Sequence, residues 1–190
     1  MPTPIPSHHP WHAAQGHAAP GFTLLELMIT LAVSATLMLA AVPAFMRMRE
    51  HNQAISTANL LITQLQLARM TAVNRRISTV LCPSVDGRRC GDHADWSLGW
   101  MTFLDRDRTG RPNSPNNIII ASTGPFTQTL RLQGSTGRPR VRYLPDGRSP
   151  GTNLTISICN DKGALLNQVI INNSGRVRSQ RPQQPAQCTD

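Results

Sequence analysis

The longest hydrophobic segment of the chain lies near its N-terminus, from Phe22 to Met46, and contains a single charged residue, Glu26. As an α-helix this segment would extend roughly 37 Å, which exceeds the ~30 Å hydrocarbon core of a bilayer. Pro43 lies inside it and is expected to kink or loosen the helix. The pattern therefore predicts a membrane-spanning helix over residues 22–46.

A different hydrophobic pattern follows over residues 47–76. Apolar residues recur there at the i, i+3, i+4, i+7 spacing of one helix face, and the polar residues Asn59, Gln66 and Arg69 lie off that face. The apolar stripe consists of Ile55, Ala58, Leu61, Ile62, Leu65, Ala68 and Ala72. We therefore expect one long helix over residues 22–74, apolar on all sides in its first half and amphipathic in its second.

Short apolar and β-branched runs, separated by clusters of Gly, Pro, Asn and Asp, occupy residues 77–180. Such runs predict strands, and the clusters predict the turns between them. We expect strands at Ile77–Cys82, Trp100–Leu104, Asn117–Ala121, Thr129–Leu132, Val141–Leu144, Leu154–Cys159 and Asn167–Ile171. These strands would form an antiparallel β-domain packed on the amphipathic half-helix, with Trp96 and Trp100 in its core. The resulting fold class is α+β, followed by a polar tail over residues 181–190.

The first 21 residues contain no Lys, Arg, Asp or Glu and show no hydrophobic period. They are typical of a processed leader rather than a folded element, and a metal-binding histidine tract is the less favoured alternative. The carboxylate of Glu26 follows shortly after and is costly in lipid unless it has a partner. It could be solvated at the headgroup level. If the chain is cut between Gly21 and Phe22, it could instead pair with the new α-amino group of a neighbouring subunit.

The four cysteines, Cys82, Cys90, Cys159 and Cys188, include no C-x-x-C pair. An even number at such spacings is typical of two disulfides formed in an oxidising compartment, and three pairings are possible. A zinc site would need closer pairs with histidines nearby. Four free buried thiols are the alternative, which the membrane segment disfavours.

The net charge of the chain is +9, and nine basic against three acidic residues give +6 within residues 130–190. Charge concentrated in this way favours a polyanionic partner. In an extended segment the side chains of Arg176 and Arg178 would project to one side, about 7 Å apart. That separation is close to the phosphate spacing along a nucleic acid strand, and Arg binds phosphate through a fixed fork of donors. The alternative is a solvated basic edge strand, whose charge deters pairing with other chains.

The segment "GFTLLE", followed by an apolar helix with a proline, resembles the class III signal of type IV pilins and type II secretion pseudopilins. In such proteins a prepilin peptidase cleaves after the Gly and methylates the new N-terminal Phe. The resemblance therefore implies cleavage between Gly21 and Phe22, and it places Glu26 and Pro43 in the assembly helix. The leader departs from the usual pattern because it lacks Lys and Arg.

The resemblance continues beyond the helix. The segments "VLCPSVDGRRC", "DWSLGWMTFLDRDRTG", "LPDGRSPGTNLTISICND" and "VIINNSGRVR" resemble the GspH/FimT family of minor pilins and pseudopilins, over nearly all of residues 20–180. This resemblance implies a type IV pilin-like fold, in which a long N-terminal helix packs on a C-terminal β-domain of two small antiparallel sheets. It also implies the disulfide pairings Cys82–Cys90 and Cys159–Cys188.

Members of the FimT type are DNA-binding minor pilins of naturally competent bacteria, and a G-R-x-R motif near the C-terminus makes the contact. The motif corresponds here to Gly175, Arg176 and Arg178, and Arg181 extends it. The resemblance thus implies non-specific binding of double-stranded DNA for uptake in natural transformation. Few aromatic residues accompany these arginines, which disfavours base stacking. Ranked lower as contributors are Arg138, Arg140, Arg142 and Arg148.

The resemblance also implies a single-pass inner-membrane protein with a periplasmic C-terminal domain, which later moves to the pilus and the cell surface. Its partners would be other major and minor pilins, through the N-terminal helix, and the prepilin peptidase. Two alternatives stay within the family: a GspH-like structural pseudopilin at the tip of a type II secretion filament, and a minor pilin that only primes assembly.

An enzyme is not expected. After processing only His51 and His93 remain, and the chain has no G-x-S-x-G, H-E-x-x-H or phosphate-loop motif. The segment "DRDRTGRPN" resembles the start of a calcium loop at Asp105 and Asp107, but its arginines oppose a cation and Asn116 stands where a bidentate Glu belongs. We therefore expect a β-turn there, and neither a metal nor a cofactor.

Overall fold

The structure is a computed structural model that describes residues 21–123 and 129–188. Its first element is helix α1, Leu24–Arg75, which continues through Pro43. The helix starts after Thr23, whose hydroxyl oxygen accepts a hydrogen bond from the backbone N–H of Glu26 at 3.2 Å. This contact satisfies one of the N–H groups that have no partner within the helix. The long helix predicted from the sequence is confirmed.

The chain divides into two compact units, with the boundary between Pro43 and Ala44. Before this boundary the large apolar side chains of α1 are exposed. By length and composition the helix can cross a membrane. From Ala44 onward it belongs to the unit that contains the β-strands.

The described residues include eight strands and one short 3-10 helix, Pro115–Asn117. The strands are β1 Thr79–Pro83, β2 Gly99–Leu104, β3 Ile118–Thr123, β4 Leu130–Gly134, β5 Val141–Tyr143, β6 Leu154–Asn160, β7 Leu165–Ile171 and β8 Val177–Gln180. Sheet 1 has the order β3-β2-β1-β5, and sheet 2 has the order β4-β6-β7-β8. All pairings are antiparallel. The expected α+β fold with two small antiparallel sheets is confirmed.

One hydrophobic core joins the helix to both sheets. Trp100 and Tyr143 from sheet 1, and Ile156 and Val169 from sheet 2, belong to the same buried cluster as the helix stripe. The helical members of this cluster are Ala54, Ala58, Leu61, Leu65, Ala68 and Ala72, with Ala54 in place of the predicted Ile55 and with Ile62 only partly buried. Because most of these side chains are small, the backbones of the sheets can approach the helix closely. Trp96 and Trp100 are both fully buried in this core, as expected.

Gln64 is a buried polar residue that the apolar stripe did not indicate. Its amide oxygen accepts a hydrogen bond from Trp100 Nε1 at 2.6 Å, and its Nε2 donates to Ser122 Oγ at 2.6 Å. These two bonds connect α1 to β2 and β3. A buried amide with both of its groups paired avoids the cost of desolvation without a partner.

The cysteines form two disulfides, Cys82–Cys90 and Cys159–Cys188. The second attaches the C-terminal segment to sheet 2. Close to it, the backbone N–H of Cys188 donates to the carbonyl oxygen of Gly163 at 2.9 Å, and the N–H of Leu165 donates to that of Ala186 at 2.8 Å. The tail is therefore fixed to the β-domain at its far end.

Each of the expected strands is present, and β8 is an additional one. Its sequence, Val-Arg-Ser-Gln, has one apolar residue and therefore shows no alternating pattern. It is the edge strand of sheet 2, where Val177 pairs with Ile171 and Arg178 pairs with Ile170. Pairing with β7, rather than its own composition, keeps this segment extended.

We expect Gln64→Leu to lower the free energy of unfolding by about 1–3 kcal/mol, because it leaves polar groups of Trp100 and Ser122 without their amide partner. Gln66→Leu is the matched control, since Gln66 is exposed on the same helix, and its effect should stay within about 0.5 kcal/mol. Both are measured by urea unfolding of the full chain in non-ionic detergent, followed by tryptophan fluorescence. Equal effects of the two substitutions would contradict this role of Gln64.

Candidate nucleic-acid interface

The two arginines of the G-R-V-R segment lie at the start of β8, on the free edge of sheet 2. Val177 between them packs against the core. Because side chains alternate along an extended segment, Arg176 and Arg178 both lie on the side away from the core, and both are exposed. Together they line a pocket of about 470 Å³, whose other lining residues are Asn153, Ile170, Asn172 and Val177.

The turn between β7 and β8 is closed by the side chain of Asn172. Its Oδ1 accepts hydrogen bonds from the backbone N–H of Arg176 and from Ser174 Oγ, both at 2.8 Å. The backbone of Asn172 bonds to the same turn, because its carbonyl oxygen accepts from the N–H of Gly175 at 3.0 Å. These contacts fix the direction in which Arg176 leaves the turn.

Gly175 is required by the conformation of this turn. Its φ is +79°, a region that residues with a side chain rarely adopt. A Cβ at this position would lie 2.1 Å from the carbonyl oxygen of Gly147, which is a backbone atom of the neighbouring turn. The glycine of the motif is therefore explained by strain and by close approach of two backbones, independently of any ligand.

Arg69 on α1 lies beneath both turns. Its Nη2 donates to the carbonyl oxygen of Ser174 at 3.3 Å. Its Nε lies 3.2 Å and 3.3 Å from the positions that a Cβ would take at Gly147 and Gly175. A backbone hydrogen bond from Ser149 N–H to the carbonyl oxygen of Asn173, at 3.0 Å, joins the two turns directly. The helix therefore supports the turn that presents Arg176.

Arg176, Arg178 and Arg181 are exposed. Within residues 21–123 and 129–188, their side chains form no hydrogen bond or ion pair with other residues. Arg181 follows directly after β8. All three guanidinium groups are consequently available to a ligand.

Arg138, which was ranked among the lower contributors, has a different role. It is only 8% exposed, and its guanidinium donates to the carbonyl oxygens of Thr152 and Ser149 and to Ser149 Oγ. Burial lowers the pKa of Arg138 below its ordinary value. Its donors are used within the fold, so we leave it out of the candidate interface.

The other three lower-ranked arginines each have a partner within the protein. Arg140 Nη1 donates to the carbonyl oxygen of Gly110 at 2.8 Å, and Arg142 Nη2 lies 3.0 Å from Oδ2 of the buried Asp105. Arg148 Nε pairs with Asp146 Oδ2 at 2.6 Å. The pKa of Asp146 lies below its ordinary value. The main cause is a hydrogen bond from the backbone N–H of Arg148, and the next is a hydrogen bond from the Arg148 side chain.

The loop that resembled a calcium site is held by donors of the protein itself. Oδ1 of Asp105 accepts from the backbone N–H of Gly110 at 2.9 Å, and the carboxylate of Asp107 accepts from Thr109 Oγ1 and from Asn113 Nδ2. In the part of the chain that the structure describes, no group of three His, Cys, Asp or Glu side chains is placed to hold a metal ion.

The expected processing site lies at the edge of the described region. Gly21 and Phe22 precede helix α1, and Phe22 is 86% exposed. Glu26 lies in the first turn of α1 and is exposed. The rest of the expected leader, residues 1–20, lies outside the described residues.

The fold, a long helix on two small sheets, together with the apolar N-terminus, defines a protein of the pilin class. A family model for the prokaryotic N-terminal methylation motif matches residues 18–42. The model described as type II transport protein GspH matches residues 57–175. The chain therefore belongs to the GspH family of minor pilins and pseudopilins.

Solved structures with the same fold include the type IV minor pilin FimU of Pseudomonas aeruginosa PAO1. It is 22% identical, the match covers 73% of this chain and 96% of that one, and the TM-score is 0.55. A second crystal form of FimU gives 22% identity, 70% and 96% coverage and a TM-score of 0.51. The minor pseudopilin EpsH of the Vibrio cholerae Type 2 Secretion System gives 18% identity, 70% and 99% coverage and a TM-score of 0.49. A comparison with curated protein sequences finds no match.

Three supporting residues, Thr23, Asn172 and Arg69, were not predicted from the sequence. Thr23 has a sequence signal, since T-x-x-E before an apolar run is the pattern of a helix-capping box. Asn172 has a local signal, since Asn is a common turn residue and its side chain bonds the backbone of Arg176 only four positions later. Arg69 has no signal, because its partner Ser174 is 105 positions away in the chain.

We expect Gly175→Ala to lower the free energy of unfolding by about 1–3 kcal/mol, because the positive φ is strained for alanine and the Cβ meets a backbone oxygen. The matched control is Gly137→Ala, since an added Cβ at Gly137 meets nothing within 4 Å. Urea unfolding of both variants in non-ionic detergent provides the comparison. A loss no larger than that of the control would show that the turn can relax at no cost.

Proposed function

We propose that this protein is a minor type IV pilin that binds extracellular double-stranded DNA through Arg176 and Arg178, with Arg181 extending the contact. The proposal depends chiefly on one observation: Arg176 and Arg178 project from the same side of a fixed edge strand and have no partner among the described residues. Because the backbone of this strand is fixed and the two guanidinium groups are unpaired, binding a phosphate breaks no contact within the protein.

The electrostatic surroundings support an anionic ligand. The acidic residues within 129–188 are Asp146 and Asp161. Asp146 is paired with Arg148, and Asp161 lies in the turn between β6 and β7, at the opposite end of sheet 2 from Arg178. Within the described residues neither carboxylate forms an ion pair with Arg176, Arg178 or Arg181, which together we call the C-terminal arginine strip.

The expected binding mode is electrostatic and indifferent to sequence. No aromatic side chain lines the pocket at Arg176 and Arg178, so base stacking has no platform there. If two to four phosphates are neutralised, log K should fall against log salt with a slope of about −2 to −4. Such binding is weak for a single subunit, and several copies along one filament would strengthen it through avidity.

The N-terminal region supports assembly of this protein into a filament. The proposal includes cleavage between Gly21 and Phe22 by a prepilin peptidase, methylation of Phe22, and a single span of the inner membrane with the β-domain in the periplasm. On assembly, Glu26 would pair with the new N-terminus of a neighbouring subunit, while the exposed apolar surface of α1, loosened at Pro43, packs against other pilins. DNA uptake would then follow from retraction of the pilus.

A second candidate function is that of a structural pseudopilin at the tip of a type II secretion filament. The description of the matching family model, type II transport protein GspH, favours it. In that case, or in a minor pilin that only primes assembly, the C-terminal arginine strip would be surface charge or a contact to sibling subunits. DNA binding separates both from the first proposal.

We expect Arg176→Gln/Arg178→Gln to weaken DNA binding and to make the slope of log K against log salt less negative by about 2, one for each lost phosphate contact. Binding is measured by fluorescence anisotropy of a labelled 30-bp duplex with the full chain in non-ionic detergent, over a salt series.

Arg131→Gln/Lys162→Gln is the matched control for this variant. It removes the same charge from the opposite end of sheet 2, where Arg131 pairs with Cys159 and Lys162 follows β6. Its slope should stay close to that of the wild type. Equal slopes for the two double variants would reject the C-terminal arginine strip as the DNA contact, and absence of DNA binding by the wild type would favour the pseudopilin.

We expect Glu26→Gln to be inserted in the membrane but to enter filaments about a hundredfold less or worse, because removing one partner of a buried pair costs about 3–5 kcal/mol and each 1.4 kcal/mol is about tenfold. The measurement compares the sheared filament fraction with the membrane fraction by immunoblot. Glu50→Gln, on the same helix, is the control and should assemble normally. Unchanged assembly of Glu26→Gln would contradict the pairing with the N-terminus.

A further inference from the structure

A second cluster of arginines lies among the loops of sheet 1. Arg89, Arg111 and Arg140 line one pocket of about 350 Å³, together with Cys90, Asp92 and Pro112. Arg89 comes from the loop closed by the Cys82–Cys90 disulfide, Arg111 from the segment after β2, and Arg140 from the residue before β5. Three separate parts of the chain therefore direct guanidinium groups to one place.

The loop that presents Arg89 is fixed by more than its disulfide. Oδ1 of Asp86 accepts hydrogen bonds from the backbone N–H groups of Arg88 and Arg89 at 2.8 and 2.9 Å. Ser84 Oγ donates to the carbonyl oxygen of Arg89 at 2.7 Å and accepts from the N–H of Gly87 at 3.0 Å. The N–H bonds to Arg88 and Arg89 hold the pKa of Asp86 below its ordinary value. The backbone at Arg89 is consequently ordered before any ligand arrives.

Arg140 connects the other two parts of the pocket. Its side chain is 27% exposed, and its Nη1 donates to the carbonyl oxygen of Gly110, the residue before Arg111, at 2.8 Å. This bond holds the loop of Arg111 against the start of β5. Arg140 thus both orients the loop and adds its own charge to the pocket.

The charges in this pocket are not balanced within the protein. Asp92 is its one acidic lining residue; its Oδ1 lies 4.0 Å from Arg140 Nη2, and its side chain is 82% exposed. In the described part of the chain, the side chains of Arg89 and Arg111 form no hydrogen bond or ion pair. Like charges brought together without counter-charges repel one another. Three guanidinium groups against one carboxylate leave a surplus that an anion would relieve.

We propose that this pocket is a second phosphate-binding site that holds the DNA backbone, an inference that takes its ligand from the proposed function but assigns new residues to it. Its lining carries three arginines and one aspartate beside Cys90 and Pro112, so it is strongly cationic. That composition fits nucleic-acid interfaces, which are polar and positively charged, better than protein interfaces, whose cores are apolar and depleted of charge. The site lies on sheet 1 and the C-terminal arginine strip on sheet 2, so one subunit would engage DNA at two separate places and gain from avidity.

The test uses the full chain in non-ionic detergent, the labelled 30-bp duplex and the same salt series as above. We expect Arg89→Gln/Arg111→Gln to make the slope of log K against log salt less negative by about 2. Arg89→Lys/Arg111→Lys, which keeps the charge, should retain most of the slope. Arg131→Gln/Lys162→Gln is again the charge-matched control. If the double Gln variant does not fold, as judged by circular dichroism, the single Arg111→Gln variant is measured instead. Its slope of log K against log salt should be less negative by about 1.

The outcomes separate this inference from the proposed function. An unchanged slope for Arg89→Gln/Arg111→Gln, with a reduced slope for Arg176→Gln/Arg178→Gln, would overturn the second site and leave the C-terminal arginine strip in place; the cluster would then face another subunit. The reverse pattern would support the site on sheet 1 and overturn the strip. No change in either variant would overturn both.

Discussion

Burial of one narrow stripe of helix α1 against both sheets is the constraint on which the rest of the structure depends. The stripe is built largely from alanines, so both sheets meet the helix at close range and share one core with it. A small sheet needs a packed layer against its apolar face, and the helix supplies that layer to both sheets in the main core. The C-terminal arginine strip inherits its position from this arrangement, since Val177 of β8 packs against the same core and turns its neighbours outward.

Much of this could be read from the sequence because the signals were local and periodic. The helix was predicted from an apolar run followed by a 3.6-residue stripe. The strands from β1 to β7 were predicted from β-branched runs between turn residues. The features that were not predicted depend on contacts between distant parts of the chain. β8 has no pattern of its own and exists through pairing with β7, and Gln64 is polar at a buried position because Trp100 and Ser122 happen to meet it there. No sequence signal distinguishes Arg138 from an exposed arginine, although the loops around Ser149 and Thr152 bury it.

The two arginine clusters also differ in whether they could be predicted from local sequence. Spacing alone indicated that Arg176 and Arg178 would share a side, because that property belongs to any extended segment. Spacing could not indicate that Arg89, Arg111 and Arg140 meet, since they lie on three loops joined only by the fold, by a disulfide and by the contact of Arg140 with Gly110. The sequence also cannot distinguish an arginine that is paired, such as Arg142 with Asp105, from one that is free.

The Cys159–Cys188 disulfide closes a covalent ring that contains β7, the turn at Gly175, β8 and Arg181. An edge strand is ordinarily the easiest part of a sheet to peel away, because hydrogen bonds to a single neighbour hold it. Here a pulling force applied at Arg178 could strip β8 from β7 without freeing it, since both ends of the ring stay bonded to β6. The segment between the two cysteines therefore stays attached to sheet 2 even where its hydrogen bonds to β7 are broken.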